Sequence, residues 1–401
     1  MPNCVVARIL MKNLEILLGN IATLNHTPLP IFDEAVCAFL GDFSANLLKS
    51  PMARQFTDLS ALAFWCRPAN IQQLKNRYQG EHRLGRGVCL HIAPSNIPVN
   101  AIFSYFFGFL AGNVNIVRLP SKTFTQVQWL CGWIKTQLEN YPTLKTRTAF
   151  VRYERDSSLS AELSKIADCR MIWGGDQTVQ HLKSLSAKPR TVDIAFPDRY
   201  SIAIINAEAI KNADEATLAR LAQGFYNDTF LMDQNACSSP QLICWLNDDA
   251  AAREKFWQAV LKTANEKYDL QDALCVEKFT HFCQDAICFG DVLGEMKFLG
   301  GNLLYLSEVR QLQNVENLRG KGGYFYEYAL KNIADLLVVI TEKFQTITYF
   351  GVDAEDLQRE IIAQHSLGID RIVPIGKALD IGILWDGHDL IRELSRAITL
   401  V

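Results

Sequence analysis

The chain has no Cys-x-x-Cys pair and no His-x-x-x-His, although it carries 11 cysteines and seven histidines. Without ligand spacing of either kind, a structural zinc is not expected. An odd number of cysteines with no paired spacing points to free thiols in a reducing cytoplasm rather than to a disulfide framework. Met1 to Leu24 lacks the unbroken apolar core of a signal peptide, because Arg8, Lys12 and Glu15 interrupt it. No charged residue occurs between Arg86 and Arg118, and Ala101 to Gly112 is strongly apolar. Yet Pro94, Asn96, Pro98, Asn100, Asn113 and Asn115 break that run before it reaches the roughly 20 residues a membrane span needs. An excess of one charge is missing too: the formal net charge is −3, with no pull toward nucleic acid or an anionic membrane. Internal repeats, low-complexity tracts and long linkers are also absent.

What is present is an ordinary globular balance, 49% hydrophobic and 21% charged, over 401 residues. That length predicts two domains. Residues 1 to about 80 read as mostly helical, with Val36, Phe39 and Leu40, then Leu59, Leu62 and Trp65, at helical spacing. From Gly87 the texture changes. Gly87 to Ala93 reads as a buried strand, Pro94 to Ile97 as a loop, Pro98 as a first helical residue and Gly112 as a helix stop. Val114 to Leu119 is a second apolar strand. Alternation continues through a helix at 124–138 and strands at 148–153 and 169–173, the last ending in Gly174-Gly175. Strands at 191–196 and 202–206 follow. Repeated strand–helix units predict a doubly wound α/β domain, with ligands beyond the carboxyl ends of its strands. A second α/β unit begins near Asp214, with a helix to Met232 and a strand at 241–246. Leu299 to Tyr326 reads as glycine-rich and less regular, Ala334 to Thr341 as a strand, 371–375 as a strand and Asp389 to Ile398 as a last helix.

Chemistry concentrates at a few junctions. Cys237 lies among small polar residues, after a helix and before an apolar strand, where a thiol can be partly exposed and its N–H can face a carbonyl. Asn96, at the end of a buried strand, offers a side-chain amide to a developing oxyanion, or caps its own turn. Gly174-Gly175 lets backbone N–H groups approach a phosphate at a helix N-terminus, although two glycines in a tight turn need no ligand. Arg118 and Lys122 flank a strand end, suited to a phosphate or simply to solvent.

Together these features resemble the aldehyde dehydrogenase superfamily and, within it, the LuxC-type acyl-CoA reductases, the fatty acid reductase component of bacterial bioluminescence systems and its relatives. The resemblance runs from about Gly87 to the C-terminus through seven ordered blocks. They are His91 to Pro98, Val117 to Ser121, Ile172 to Asp176, Phe196 to Ser201, Ala236 to Gln241, Phe344 to Gly351 and Arg371 to Gly376. The resemblance implies an aldehyde-dehydrogenase-like α/β fold, a doubly wound cofactor domain plus a second α/β catalytic domain. The expected divisions are 1–206 with the N-terminal helices and the NADP(H)-binding part, 207–370 with the nucleophile, and 371–401 as a segment packing back near the domain interface.

By that resemblance Cys237 is the nucleophile, and Asn96 with the Cys237 N–H forms the oxyanion hole. Gly174 and Gly175 meet the cofactor pyrophosphate, with Gly175 where the family has serine and Val179 where it has its last glycine. Glu342 and Phe344 touch the nicotinamide ribose and ring. Two departures carry information. The stretch Leu119-Pro120-Ser121-Lys122, beside Arg118, lacks the ribose-binding glutamate of many relatives, which favours NADPH over NADH. Ala195-Phe196-Pro197-Asp198 lacks the glutamate that activates water in hydrolytic relatives, which suits an enzyme that keeps its thioester for hydride transfer. The implied reaction is NADPH-dependent reduction of an acyl-CoA or acyl-carrier thioester to the aldehyde through an acyl-cysteine. The resemblance also implies a homo-oligomer and acyl-transferring partner enzymes. The alternatives are an acyl-holding protein on the same fold, or a cysteine thioesterase using His365 or His388.

Overall fold

Every residue of Val88–Ile92 is buried, as a strand covered on both faces must be. It is the centre of the first of two large sheets. The computed structural model describes residues 14–155 and 158–400, so the N-terminal stretch read for a leader lies outside them up to residue 13. By contacts the chain divides into two units, Met1–Pro197 with Ile383–Val401, and Asp198–Gly382.

In the first unit the strands up to Pro197 are β1 (Glu15–Gly19), β2 (Arg83–Gly85), β3 (Val88–Ile92), β4 (Val114–Leu119), β5 (Thr148–Arg152), β6 (Cys169–Trp173) and β7 (Val192–Phe196). Six of them form a sheet in the order β1-β5-β4-β3-β6-β7. All neighbours are parallel except β1, which pairs antiparallel with β5. The chain runs outward from β3 through β4 to β5, then crosses to β6 and β7 on the other side. The order therefore reverses between β3 and β6, and the sheet is doubly wound.

Helix Asn100–Leu110 is buried along its whole length. The sheet covers one side of it and the N-terminal helices the other. Phe39 and Phe43 from helix Glu34–Lys49 meet Phe106 edge-on, and Trp65 meets Phe103 and Phe107. Asp33 caps that first helix by accepting from the Ala35 N–H, and its Val36, Phe39 and Leu40 are buried as the spacing predicts. The helical reading of residues 1 to about 80 fails at β1, a five-residue edge strand held by β5 rather than by its own pattern. Helix Asn100–Leu110 starts two residues after Pro98, and Gly112, at φ +84°, ends its turn.

The second unit holds β8 (Tyr200–Asn206), β9 (Pro240–Leu246), β10 (Leu293–Leu299), β11 (Leu304–Val309), β12 (Tyr324–Leu330), β13 (Phe344–Phe350) and β14 (Arg371–Pro374). Their order is β10-β11-β12-β9-β8-β13-β14, antiparallel only at β10–β11. Apolar clusters cover both faces, one around Tyr200, Ile202 and Tyr326, the other around Phe225, Trp245 and Phe325. Each such fully buried side chain contributes about 1.5–3 kcal/mol.

Several expectations are corrected here. Leu299 to Tyr326, expected to be less regular, contains β11 and the start of β12. Ala334 to Thr341, expected as a strand, contains the end of helix Ile333–Leu337, begun by Asn332, whose side chain accepts from the Asp335 N–H. The last helix is a single turn, Leu390–Glu393, followed by strand Ser395–Ala397, which pairs with β2. The boundary expected after residue 206 falls earlier, because β8 is an inner strand of the second sheet. The segment expected from 371 is also shorter. β14 stays in the second sheet, and only residues from Ile383 return to the first unit. There Asn113 Nδ2 donates to the Leu394 carbonyl (2.9 Å), Arg86 Nε to that of Glu393 (2.5 Å) and Arg83 Nη2 to that of Arg392 (2.7 Å).

Candidate active site

In the first unit, β3, β4 and β6 run parallel, so the loops after Ile92, Leu119 and Trp173 leave the same edge of the sheet. Asn96 is exposed in the first of these loops. Gly174 and Gly175 form the third and lead into helix Asp176–Ser184. The loops after β3 and β6 flank the strand-order reversal, the crevice where doubly wound sheets bind ligands. A Cβ built on Gly175 would meet nothing within 4 Å, whereas one on Gly174 would press on Thr178 at 3.2 Å. The backbone at Gly175 is thus open to approach. Arg118 is partly committed: its Nη2 donates to the Tyr153 carbonyl (3.2 Å), its guanidinium lies 5.4 Å from the Tyr153 ring, and burial lowers its pKa. Lys122 is exposed, its ammonium 4.9 Å from the Phe124 ring.

Beneath these loops lies a network that the sequence did not disclose. His91 is fully buried between Ser104 Oγ (2.8 Å from Nδ1) and Asn115 Oδ1 (2.9 Å from Nε2). An amide oxygen only accepts, so Nε2 carries the proton and Nδ1 accepts from Ser104. Burial pulls His91 down to about 4, which keeps it neutral. Trp173 Nε1 donates to the same Ser104 oxygen at 3.2 Å, and its ring stacks on Phe196 at 3.8 Å. Through Ser104, the ends of β3 and β6 share one support.

In the second unit, Cys237 occupies a turn just ahead of β9 and is half-buried. The other nine described cysteines are also free thiols, and five of them are buried. Burial raises the Cys131 thiol to about 12, which makes it unreactive. The turn is closed by the Ser239 N–H donating to the Ala236 carbonyl (3.0 Å). Ser201 Oγ donates to the Cys237 carbonyl at 2.6 Å, and Ser239 Oγ to the Asp228 carbonyl at 2.6 Å. Asp233 and Gln234 precede the turn at φ 50° and 61°. Gln234 is buried and ties the turn to the glycine-rich loop before β12. It donates to the Tyr324 carbonyl (2.9 Å) and accepts from the Gly323 N–H (3.3 Å). Gln241 accepts from the Gly320 N–H at 2.9 Å. The buried ammonium of Lys278 holds the same loop through the Gly322 carbonyl (2.6 Å), and burial lowers it to about 8.

Glu342 is exposed just before β13. Phe344 is fully buried with its ring 5.2 Å from Tyr200, so it belongs to the core of the second unit. His365 is exposed at the end of helix Ala354–Ala363, and His388 pairs with Glu393 at 2.9 Å in the first unit. Gln345, Thr346 and Tyr200 are fully buried, yet the Gln345 carboxamide and both hydroxyls have no hydrogen-bond partner among the described residues. Buried polar groups without a partner are uncommon in folded proteins. Among the described residues no cluster of His, Cys, Asp and Glu is arranged to hold a metal, and no helix is long and apolar enough to cross a membrane.

A family model described as acyl-CoA reductase (LuxC) matches residues 65–271. Long-chain acyl-protein thioester reductases from Vibrio harveyi and Photorhabdus luminescens are each 24% identical to this chain. The matches cover 79% of this chain and 64% and 63% of those proteins. The chain therefore spans just under two thirds of the length of these curated relatives. Among solved structures, an NAD-dependent benzaldehyde dehydrogenase from Corynebacterium glutamicum superimposes with a TM-score of 0.61 at 13% identity, over 90% of this chain and 82% of that one. The fold is that of the aldehyde dehydrogenases.

Proposed function

The chain belongs to the acyl-CoA reductase (LuxC) family, and from that membership we propose that it reduces an acyl thioester to the aldehyde, with NADPH as hydride source and Cys237 as acyl carrier. The observation that carries this reading is the setting of Cys237. It is a half-buried thiol in a closed turn, with its own carbonyl held by Ser201. A nucleophile needs that combination of access and fixed geometry.

In the proposed reaction the Cys237 thiolate attacks the carbonyl of an acyl-CoA or acyl-carrier thioester. The Asn96 amide and the Cys237 N–H donate to the tetrahedral oxyanion. The carrier thiol leaves, and the acyl group remains as a thioester on Cys237. A reduced nicotinamide, when bound, supplies the hydride. The thiohemiacetal on Cys237 then collapses to aldehyde and returns the thiolate. No glutamate stands in Ala195-Phe196-Pro197-Asp198 to activate water against the acyl-enzyme.

The residues fit a dinucleotide. Gly174 and the open backbone at Gly175 suit a pyrophosphate at the start of helix Asp176–Ser184. Lys122, exposed and cationic, suits a 2′-phosphate, with Arg118 beside it. Glu342, exposed just before β13, is assigned to the nicotinamide ribose. Free thiols suit a cytoplasmic enzyme, and acyl-transferring enzymes and further copies of this chain are its proposed partners.

The test is NADPH oxidation across acyl-CoAs of different chain length, with the product identified. Aldehyde formed by the wild type but not by Cys237→Ala, with cofactor binding intact, is the expected result. Acid as product would move the assignment to a thioesterase, and acylation without NADPH oxidation would move it to an acyl-holding protein.

A further inference from the structure

The block Phe196 to Ser201 marks the family, yet the proposed chemistry uses none of its side chains. In the structure its last residue stands at two register shifts. Between β8 and β13 the pairing slips from Tyr200↔Phe344 to Ile202↔Ile347, so that Gln345 and Thr346 both oppose Ser201. Between β8 and β9 it slips from Ser201↔Pro240 to Ile202↔Leu242, so that Gln241 is passed over. Pro240 has no N–H to give the ladder. Irregularities of this kind re-aim side chains and end regular pairing, and they recur beside active sites.

The Ser201 hydroxyl takes over where the ladder fails. It is fully buried, accepts from the Thr346 N–H at 3.3 Å, and donates to the Cys237 carbonyl at 2.6 Å. The other peptide flanking Cys237 is fixed separately, because the Ala236 carbonyl accepts from the Ser239 N–H at 3.0 Å. Both planes on either side of the nucleophile are therefore held. One bond is internal to the turn, and the other is anchored in the sheet through Ser201.

We propose that Ser201 is a positioning residue for the nucleophile: its hydroxyl links the β13 bulge to the Cys237 carbonyl and so fixes the direction of the Cys237 thiolate at the reacting carbonyl. This rests on the acyl-cysteine reading above. Losing the hydroxyl releases the Cys237–Ser238 peptide while leaving the surfaces that bind thioester and cofactor in place. A small displacement of a reacting group is enough to cost about 100-fold in rate.

The experiment compares wild type, Ser201→Ala and Ser201→Thr in two measurements. One is steady-state aldehyde formation with a saturating acyl-CoA and NADPH. The other is the pH profile of Cys237 alkylation by iodoacetamide, site-identified by mass spectrometry. The expected result for Ser201→Ala is a fall in kcat of about 10- to 100-fold, with both KM values within about threefold and a changed alkylation profile. Ser201→Thr, which keeps the hydroxyl, returns kcat to within about threefold of wild type. Ser201→Ala within twofold of wild type in both measurements overturns the proposal. So does equal impairment of Ser201→Ala and Ser201→Thr, because the hydroxyl would then not be what matters. If the wild type forms no aldehyde, the reductase reading fails, and the alkylation profiles still decide the role of Ser201.

Discussion

The Gln234 side-chain amide donates to the Tyr324 carbonyl at 2.9 Å, across 90 positions of sequence. It joins the left-handed turn ahead of Cys237 to the first residue of β12. Gln234→Ala leaves that carbonyl and the Gly323 N–H without their buried partner and keeps a strained φ of 61°. We expect a loss of about 2–4 kcal/mol in urea unfolding.

Gly108 lies against the His91–Asn115 pair. A Cβ there would sit 2.0 Å from Asn115 Oδ1 and 2.8 Å from His91 Nε2. Gly108→Ala, neutral or favourable in most helices, is expected to cost at least about 2 kcal/mol here and to deprotect β3 in hydrogen exchange.

Stability should respond to pH in opposite directions in the two units. Burial holds His91 at about 4, against an ordinary value of 6.5. Between those values the unfolded chain binds a proton that the folded one refuses, so the first unit loses stability as pH falls through that window. Burial raises Asp228 to about 7 from 3.8, although it accepts from the N–H groups of Gly376 (2.6 Å) and Ala378 (2.9 Å). There the folded state holds the extra proton, so the second unit loses stability as pH rises from about 4 to about 7. Hydrogen exchange in β3 and β9 across pH separates the two trends, after correction for intrinsic exchange. Asp228→Asn should flatten the second alone.

Lys122→Glu is expected to raise KM for NADPH about tenfold or more, equivalent to about 1.4 kcal/mol, and to leave KM for NADH nearly unchanged. Raising ionic strength should narrow the difference between wild type and variant, because Lys122 is exposed. An equal rise for both cofactors would place the 2′-phosphate elsewhere.

Much of the fold was legible because parallel strands buried on both faces appear as unbroken apolar runs. Val88–Ile92, Val114–Leu119 and Cys169–Trp173 all stood out in this way. A short apolar run such as that at Ala334 fits strand or helix equally, and the Asn332 cap decides for helix. β1 went unseen because a five-residue edge strand depends on its neighbour. The roles proposed for Cys237 and Asn96 come from their blocks in the sequence. The part proposed for Ser201 does not come from a local pattern, since it follows from register slips. Nor did spacing reveal that Phe344 is core, because one apolar residue in a motif serves ligand or packing alike.

The return of Ile383–Val401 to the first unit has a consequence for how this protein is made. Synthesis is vectorial, so the whole of Asp198–Gly382 is produced while the first unit still lacks its closing strap. At ordinary elongation rates that interval lasts about ten seconds or more. Through it, Arg83, Arg86 and Asn113 wait for carbonyls not yet translated, and β2 offers an unpaired edge. The second unit, continuous in sequence, can fold before the first is finished.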